Sequence, residues 1–157
     1  MFRPENKLRE RSSMRIAIGC DHRGVSVKQT VIKQLAAMNI QYQDFGCYSE
    51  EPVDYPDFAE KVGRAVVSGD CDLGILICDT GIGMSIAANK VKGVRAALCC
   101  NAFYAERARL HNDANVLCLA AHEGAAQALE VVNAFLKGSY EGGRHDPRLA
   151  KIKALEC

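Results

Sequence analysis

Cys78, Asp79 and Thr80 place a thiol, a carboxylate and a hydroxyl in succession, and Gly81 and Gly83 follow within the stretch ILICDTGIGMSIAANK, residues 75–90. A thiolate is a competent base or nucleophile, and thiols at the start of a helix ionise more readily than free ones. The glycines let backbone approach a ligand closely, and the first N–H groups of a helix beginning near Ile82 have no partners inside that helix, so they favour an anion. The junction lacks the third glycine of a dinucleotide fingerprint, and it lacks the Lys and Ser/Thr of a nucleotide P-loop. What remains is a nest for a small oxyanion.

Three further groups could join it. GCDHRG presents Asp21 and His22 before Gly24, although Asp21 reads equally well as a cap on the following helix. RLHNDANVL puts His111, Asn112 and Asp113 at a helix end, where a lone histidine more often serves to satisfy free carbonyls. YEGGRHDPRLAKI sets Arg144 and Arg148 four residues apart around Pro147. Two guanidiniums one turn apart repel each other unless they are solvated or share an anion. A phosphate would satisfy both through forked hydrogen bonds; an exposed basic helix end is the other reading.

The elements that must position these groups follow from hydrophobic periodicity. Apolar runs at 14–20, 40–46, 72–78, 94–100 and 115–121 read as strands, nearly continuous in apolar character. Helical periods cover 25–38, 54–69, 82–91, 101–111, 123–138 and 146–156. Alternation of this kind predicts a five-stranded parallel sheet covered on both faces, a three-layer α/β/α domain of doubly wound type. Ligands of such sheets bind beyond the carboxyl ends of the strands, so the polar residues after strands one, three and four deserve inspection.

With 157 residues, the expected organisation is a single domain over 14–157 preceded by a charge-rich, disordered extension over 1–13. A formal net charge of +1 gives no global drive toward nucleic acid or acidic membranes, so a charged ligand must be held locally. No apolar run reaches the roughly 18 residues of a membrane span, and the polar start MFRPENKLRERSS is unlike a secretory signal, which predicts a cytoplasmic location. The eight cysteines include no CxxC pair and lie mostly in apolar runs, the pattern of small buried hydrophobes in a reducing compartment.

Taken together, IAIGCDHRG, DYPDFA, GILICDTGIGMSIAANK, GVRAALC, RLHNDANVL and YEGGRHDPR resemble the type B ribose-5-phosphate isomerase family, whose wider group includes galactose-6-phosphate and allose-6-phosphate isomerases. The resemblance runs from Met14 to Leu155. It implies a flavodoxin-like sheet, a dimer or larger assembly with active sites built from both subunits, no metal or organic cofactor, and interconversion of aldose and ketose phosphates through an enediolate. By the same resemblance Cys78 takes the proton from C2 and returns it at C1, and Thr80 shuttles a proton between the sugar oxygens. The backbone N–H groups of Gly81, Ile82, Gly83, Met84 and Ser85 hold the enediolate. His111 opens the furanose ring with Asp21 as partner, His22, Arg144 and Arg148 contact phosphate, and Asn112 orients a hydroxyl.

Asp79 departs from the pattern, since the family has glycine after the cysteine. A carboxylate beside a thiol opposes its ionisation. Asp79 therefore either faces solvent without effect, reshapes the pocket for a sugar phosphate other than ribose 5-phosphate, or itself acts as base. A non-catalytic sugar-phosphate-binding module is a further reading, which the presence of Cys78, Thr80 and His111 disfavours because a binder needs no base. A flavin or redox protein is disfavoured by the absence of Trp and of an aromatic sandwich.

Overall fold

The computed structural model describes residues 13–156; apart from Ser13, the expected N-terminal extension lies outside the described residues. Five strands, β1 (Arg15–Cys20), β2 (Gln41–Asp44), β3 (Leu73–Cys78), β4 (Ala96–Leu98) and β5 (Val116–Ala120), form one parallel sheet in the order β2-β1-β3-β5-β4. The helices are α1 (Val25–Ala37), α2 (Tyr55–Val67), α3 (Ile82–Ala88), α4 (Ala102–Asn112), α5 (Ala125–Lys137) and α6 (Asp146–Ala154). The architecture is the flavodoxin-like α/β/α sandwich, with β5 inserted between β3 and β4 where the common order runs 2-1-3-4-5. Among the described residues no helix is long and apolar enough to cross a membrane.

Strand alternation divides the core. Ile16, Ile18, Ile75, Ile77, Leu117 and Leu119 face α1 and α5, meeting Val31, Leu35, Val132 and Phe135. Ala17, Leu76, Cys78, Val116 and Cys118 face α2 and α3, meeting Ala59, Val62, Met84 and Ala88. The second face is drawn in tightly: a Cβ on Gly74 would stand 2.8 Å from Val62. Parity thus aims Cys78, the last residue of β3, into the layer that holds α3.

Two expectations are corrected. β2 and β4 are not continuous buried runs; their residues are half-buried or exposed, because the strand order makes them the sheet edges with one neighbour each. The helix expected to reach residue 91 ends at Ala88. Asn89 then turns outward, its side chain donating to the Ala96 carbonyl at 3.0 Å and accepting from the Ala96 N–H at 2.8 Å, so it covers backbone groups of the edge strand β4.

Lys28 on α1 is fully buried. Its ammonium bonds the Asp44 carboxylate at 2.8 Å and the Cys47 carbonyl at 2.5 Å, and it lies 4.7 Å from the centre of the Tyr48 ring. This arrangement ties α1 to the end of β2 and to the loop that leads toward α2. Lys28→Met removes the charge while keeping most of the volume, and strands Asp44 and the Cys47 carbonyl. The expected result is a loss of about 3 kcal/mol in urea unfolding; an unchanged midpoint would mean that the pair is energetically neutral.

Candidate active site

The carboxyl edge of the sheet gathers the first group of expected residues. In doubly wound sheets the crevice opens where strand order reverses, here between β1 and β3. Asp21 follows β1, is 6% exposed, and donates its N–H to the Ile77 carbonyl at 3.1 Å, which pins it beside the end of β3. Its carboxylate accepts the Arg23 N–H at 2.9 Å. The capping reading therefore holds only for the turn: Gly24 occupies the α1 cap without a side-chain bond. Gly24 is required by space, since a Cβ there would sit 2.7 Å from the Ile77 carbonyl oxygen. His22 is half-buried and accepts the Val53 N–H through Nδ1 at 3.3 Å, which places its proton on Nε2 and ties down the segment before α2.

Cys78 is 5% exposed, and its Sγ accepts the Gly81 N–H at 3.1 Å. A donor aimed at sulfur is bound more strongly by a thiolate than by a thiol. The turn that makes this bond needs glycine: Gly81 has φ +76°, and a Cβ there would fall 2.5 Å from Leu98 and 2.9 Å from the Leu119 carbonyl oxygen. Thr80 Oγ1 accepts the Ile82 N–H at 3.3 Å, and the Ser85 N–H donates to the Gly81 carbonyl at 3.1 Å. Of the five N–H groups expected to line the nest, those of Gly83 and Met84 are therefore the ones that helix geometry leaves without an intrahelical acceptor or a nearby cap. The Met84 side chain is buried in the α2/α3 layer, and the Ser85 hydroxyl donates to the Ile82 carbonyl at 3.2 Å, so neither side chain projects toward a ligand.

Burial pushes the Cys20 and Cys99 thiols up to about 12 and the Cys118 thiol further still, which leaves these three inert. Asp79 is exposed, its backbone lies outside the left-handed region, and its carbonyl accepts the His122 N–H at 3.0 Å. An aspartate in place of glycine thus costs no backbone strain here. Tyr55, the first residue of α2, was given no role from the sequence, yet its ring lies against Gly83 so closely that a Cβ on that glycine would sit 2.6 Å from it. The signal was the DYP at the start of α2, which carries an aromatic onto the first turn of α3.

His111, Asn112, Arg144 and Arg148 form a second group elsewhere in the chain. α4 runs from the carboxyl end of β4 back to the amino end of β5, so its last residues lie at the amino edge of the sheet. Asp113 is anchored there by Arg95, which precedes β4, at 3.2 Å, and by Arg109 at 2.9 Å. The register pairs Gly74 with Val116 and Cys78 with Ala120. Four residues of strand therefore separate the two edges, about 13 Å at ~3.3 Å per residue. At the amino edge the His111 and His145 rings stack with centroids 4.4 Å apart, and Arg107 approaches His111 Nε2 at 3.4 Å. His145 is held below the usual imidazole range by burial first, then by His111, Arg144 and Arg148. Arg144 and Arg148 are exposed. One chain thus unites Asp21 and His22 with Cys78–Ser85, and His111 with the two arginines, but it does not bring the two groups together; His22 and the arginines expected on one phosphate stand at opposite edges.

A doubly wound domain that presents a buried thiol, a carboxylate and unpaired backbone donors at its carboxyl edge is equipped for acid–base chemistry on a small anionic substrate. The chain belongs to the Ribose/Galactose Isomerase family, whose model matches residues 16–152. It is 44% identical over 143 residues to "Ribose-5-phosphate isomerase B" of Escherichia coli, covering 90% of this chain and 96% of that protein. It superposes on the ribose-5-phosphate isomerase B of Clostridium thermocellum with a TM-score of 0.90 at 49% identity, covering 91% and 97% of the two chains. A structure of the Mycoplasma genitalium ribose-5-phosphate isomerase B with bound ribulose-5-phosphate matches with a TM-score of 0.87 at 44% identity, covering 92% and 97%.

Proposed function

We propose that this protein interconverts ribose 5-phosphate and ribulose 5-phosphate through an enediolate, without an organic cofactor. The observation that carries the reading is the Cys78 sulfur at the end of β3, held by the Gly81 N–H beside the unpaired donors of Gly83 and Met84, in a chain that matches ribose-5-phosphate isomerases along nearly its whole length. Cys78 removes the C2 proton and returns it at C1, the N–H groups of Gly83 and Met84 hold the developing oxyanion, and Thr80 moves the proton between the two sugar oxygens. His111 opens the ring with Asp21, Asn112 orients a hydroxyl, and His22, Arg144 and Arg148 bind the phosphate.

Because the two groups lie at opposite edges of one sheet, this assignment requires two chains, one giving its carboxyl edge and the other its amino edge. An apolar face adjoins the thiol: Ile82 and Ile86, one turn apart on α3, are 52% and 59% exposed, and Leu98, which lies against Gly81, is 41% exposed. A homodimer, alone or as half of a tetramer, would cover it. A protein acting on a soluble sugar phosphate, with no membrane partner, would work in the cytoplasm.

The test is turnover of a panel of pentose and hexose phosphates by the native protein and by Asp79→Gly. Asp79 faces solvent without backbone strain, so ribose 5-phosphate should be the best substrate, and the variant should stay within about threefold in kcat/KM, roughly 0.6 kcal/mol of transition-state stabilisation. A native protein that ignores ribose 5-phosphate, paired with a variant that accepts it, would instead make Asp79 the determinant of a different sugar phosphate, of the allose or galactose 6-phosphate type.

A further inference from the structure

The His111 and His145 rings stack with centroids 4.4 Å apart and planes 18° from parallel, although they come from different elements. His111 lies in the last turn of α4 and is half-buried. Two further side chains approach its Nε2, Arg107 through Nη1 at 3.4 Å and Glu141 through Oε2 at 3.8 Å. Both are exposed, and long exposed side chains keep the rotamer freedom that makes them weak restraints. His145, by contrast, is 4% exposed and is fixed on both sides in sequence. Ahead of it, the Glu141 N–H donates to the Leu110 carbonyl at 3.0 Å, and Gly142 and Gly143, with φ +69° and +60°, turn the chain back toward α4. After it, the Tyr140 hydroxyl donates to Asp146 at 2.8 Å and pins the start of α6. The His145 Nε2 is buried without a hydrogen-bond partner, with Glu141 Oε2 at 3.6 Å, so packing holds the ring.

We propose that His145 is a positioning residue for ring opening, acting through the plane it sets for His111. The inference rests on the reading of His111 as the ring-opening residue. The outer torsion of a histidine is broad, and at a half-open helix end it does not select one ring orientation by itself. A buried flat ring against one face selects one and leaves the remaining surface of the half-buried His111 imidazole for the sugar. Proton transfer needs a ring nitrogen within hydrogen-bond reach of a sugar oxygen, and a displacement of about 1 Å costs up to about 10²-fold. His145 is too deeply buried to touch the sugar, so its effect passes through His111. Burial first, then His111, Arg144 and Arg148, hold the His145 imidazole below its usual range, and an uncharged ring stays stacked when His111 takes up a proton.

Ribulose 5-phosphate has its O5 esterified and cannot close to a furanose, so exchange of its C1 protons in D₂O reads enediolate formation with no ring step. Turnover of ribose 5-phosphate includes that step. His145→Leu fills the space without a flat ring and removes the unpaired Nε2, so the variant should fold. It should lower kcat for ribose 5-phosphate about tenfold or more and leave C1 exchange within about threefold. His145→Phe restores a flat ring and should recover most of the loss. In a His111→Ala background, His145→Leu should cost nothing further, because its effect runs through a ring that is gone. Unchanged ribose 5-phosphate turnover in His145→Leu, equal loss of turnover and exchange, no recovery in His145→Phe, or an additive loss in the double variant would overturn the positioning role. His111→Ala alone tests the reading beneath it. The same split between turnover and exchange supports ring opening by His111, whereas equal loss of both removes His111 from that step and the positioning role with it.

Discussion

Cys78→Ala will lower turnover of ribose 5-phosphate by about 10³-fold or more and abolish exchange of the C2 proton with solvent, while the phosphate end of the substrate still binds. General bases contribute roughly 10²–10⁴-fold, and here no second thiol can substitute. The nearest other cysteine in the same layer, Cys118, is buried, and burial raises its pKa further. The variant should fold. Cys78 contributes one small side chain to the α2/α3 layer, and deleting its sulfur removes contacts worth about 1 kcal/mol. The Gly81 N–H loses its acceptor in the variant, so Cys78→Ser is the companion measurement: it restores an acceptor in the turn but replaces the thiol by a much weaker acid. Loss of exchange in both variants assigns the proton transfer to sulfur. Full exchange in Cys78→Ala would transfer it to Asp79, whose exposed carboxylate is the adjacent alternative.

How much of this could be read beforehand divides along a physical line. Local signals carried the elements: apolar runs located all five strands, Gly69 with φ +86° closes the turn after α2 as expected, and the CDTGIG junction became a strand, a left-handed glycine and a helix. Long-range facts were not legible. Periodicity cannot say that β5 lies between β3 and β4, and with the order unknown the exposed edges β2 and β4 read as buried strands. Lys28 would be assigned to solvent by its charge, yet Asp44 and the Cys47 carbonyl, distant in sequence, let it be fully buried. The resemblance groups the N–H of Ser85 with the anion donors from Gly81 onward; the hydrogen bond from that N–H to the Gly81 carbonyl, set by where the helix begins, is not legible in the sequence. The stacking of His145 on His111 depends on two consecutive left-handed glycines, which sequence marks as flexible without saying where they lead.

The same topology yields the second large effect. If one chain supplies Cys78 and its partner supplies His111, then Cys78→Ala and His111→Ala are defective in different halves of the site, and each alone should retain at most about 1% of native turnover. Co-expression, or refolding from a mixture, produces hybrid dimers in half of the cases. In each hybrid one site combines the two altered halves, and the other combines the intact Cys78 of one chain with the intact His111 of the other. An isologous dimer therefore recovers about a quarter of native activity from an equal mixture of two nearly inactive proteins. Recovery on that scale cannot come from sites contained in single chains, because every chain in the mixture carries a defect. A mixture no more active than its components, with hybrid formation verified by differently tagged subunits, would confine catalysis to one chain. It would then remove His111, Arg144 and Arg148 from the site at Cys78, since within one chain the sheet holds them at its opposite edge.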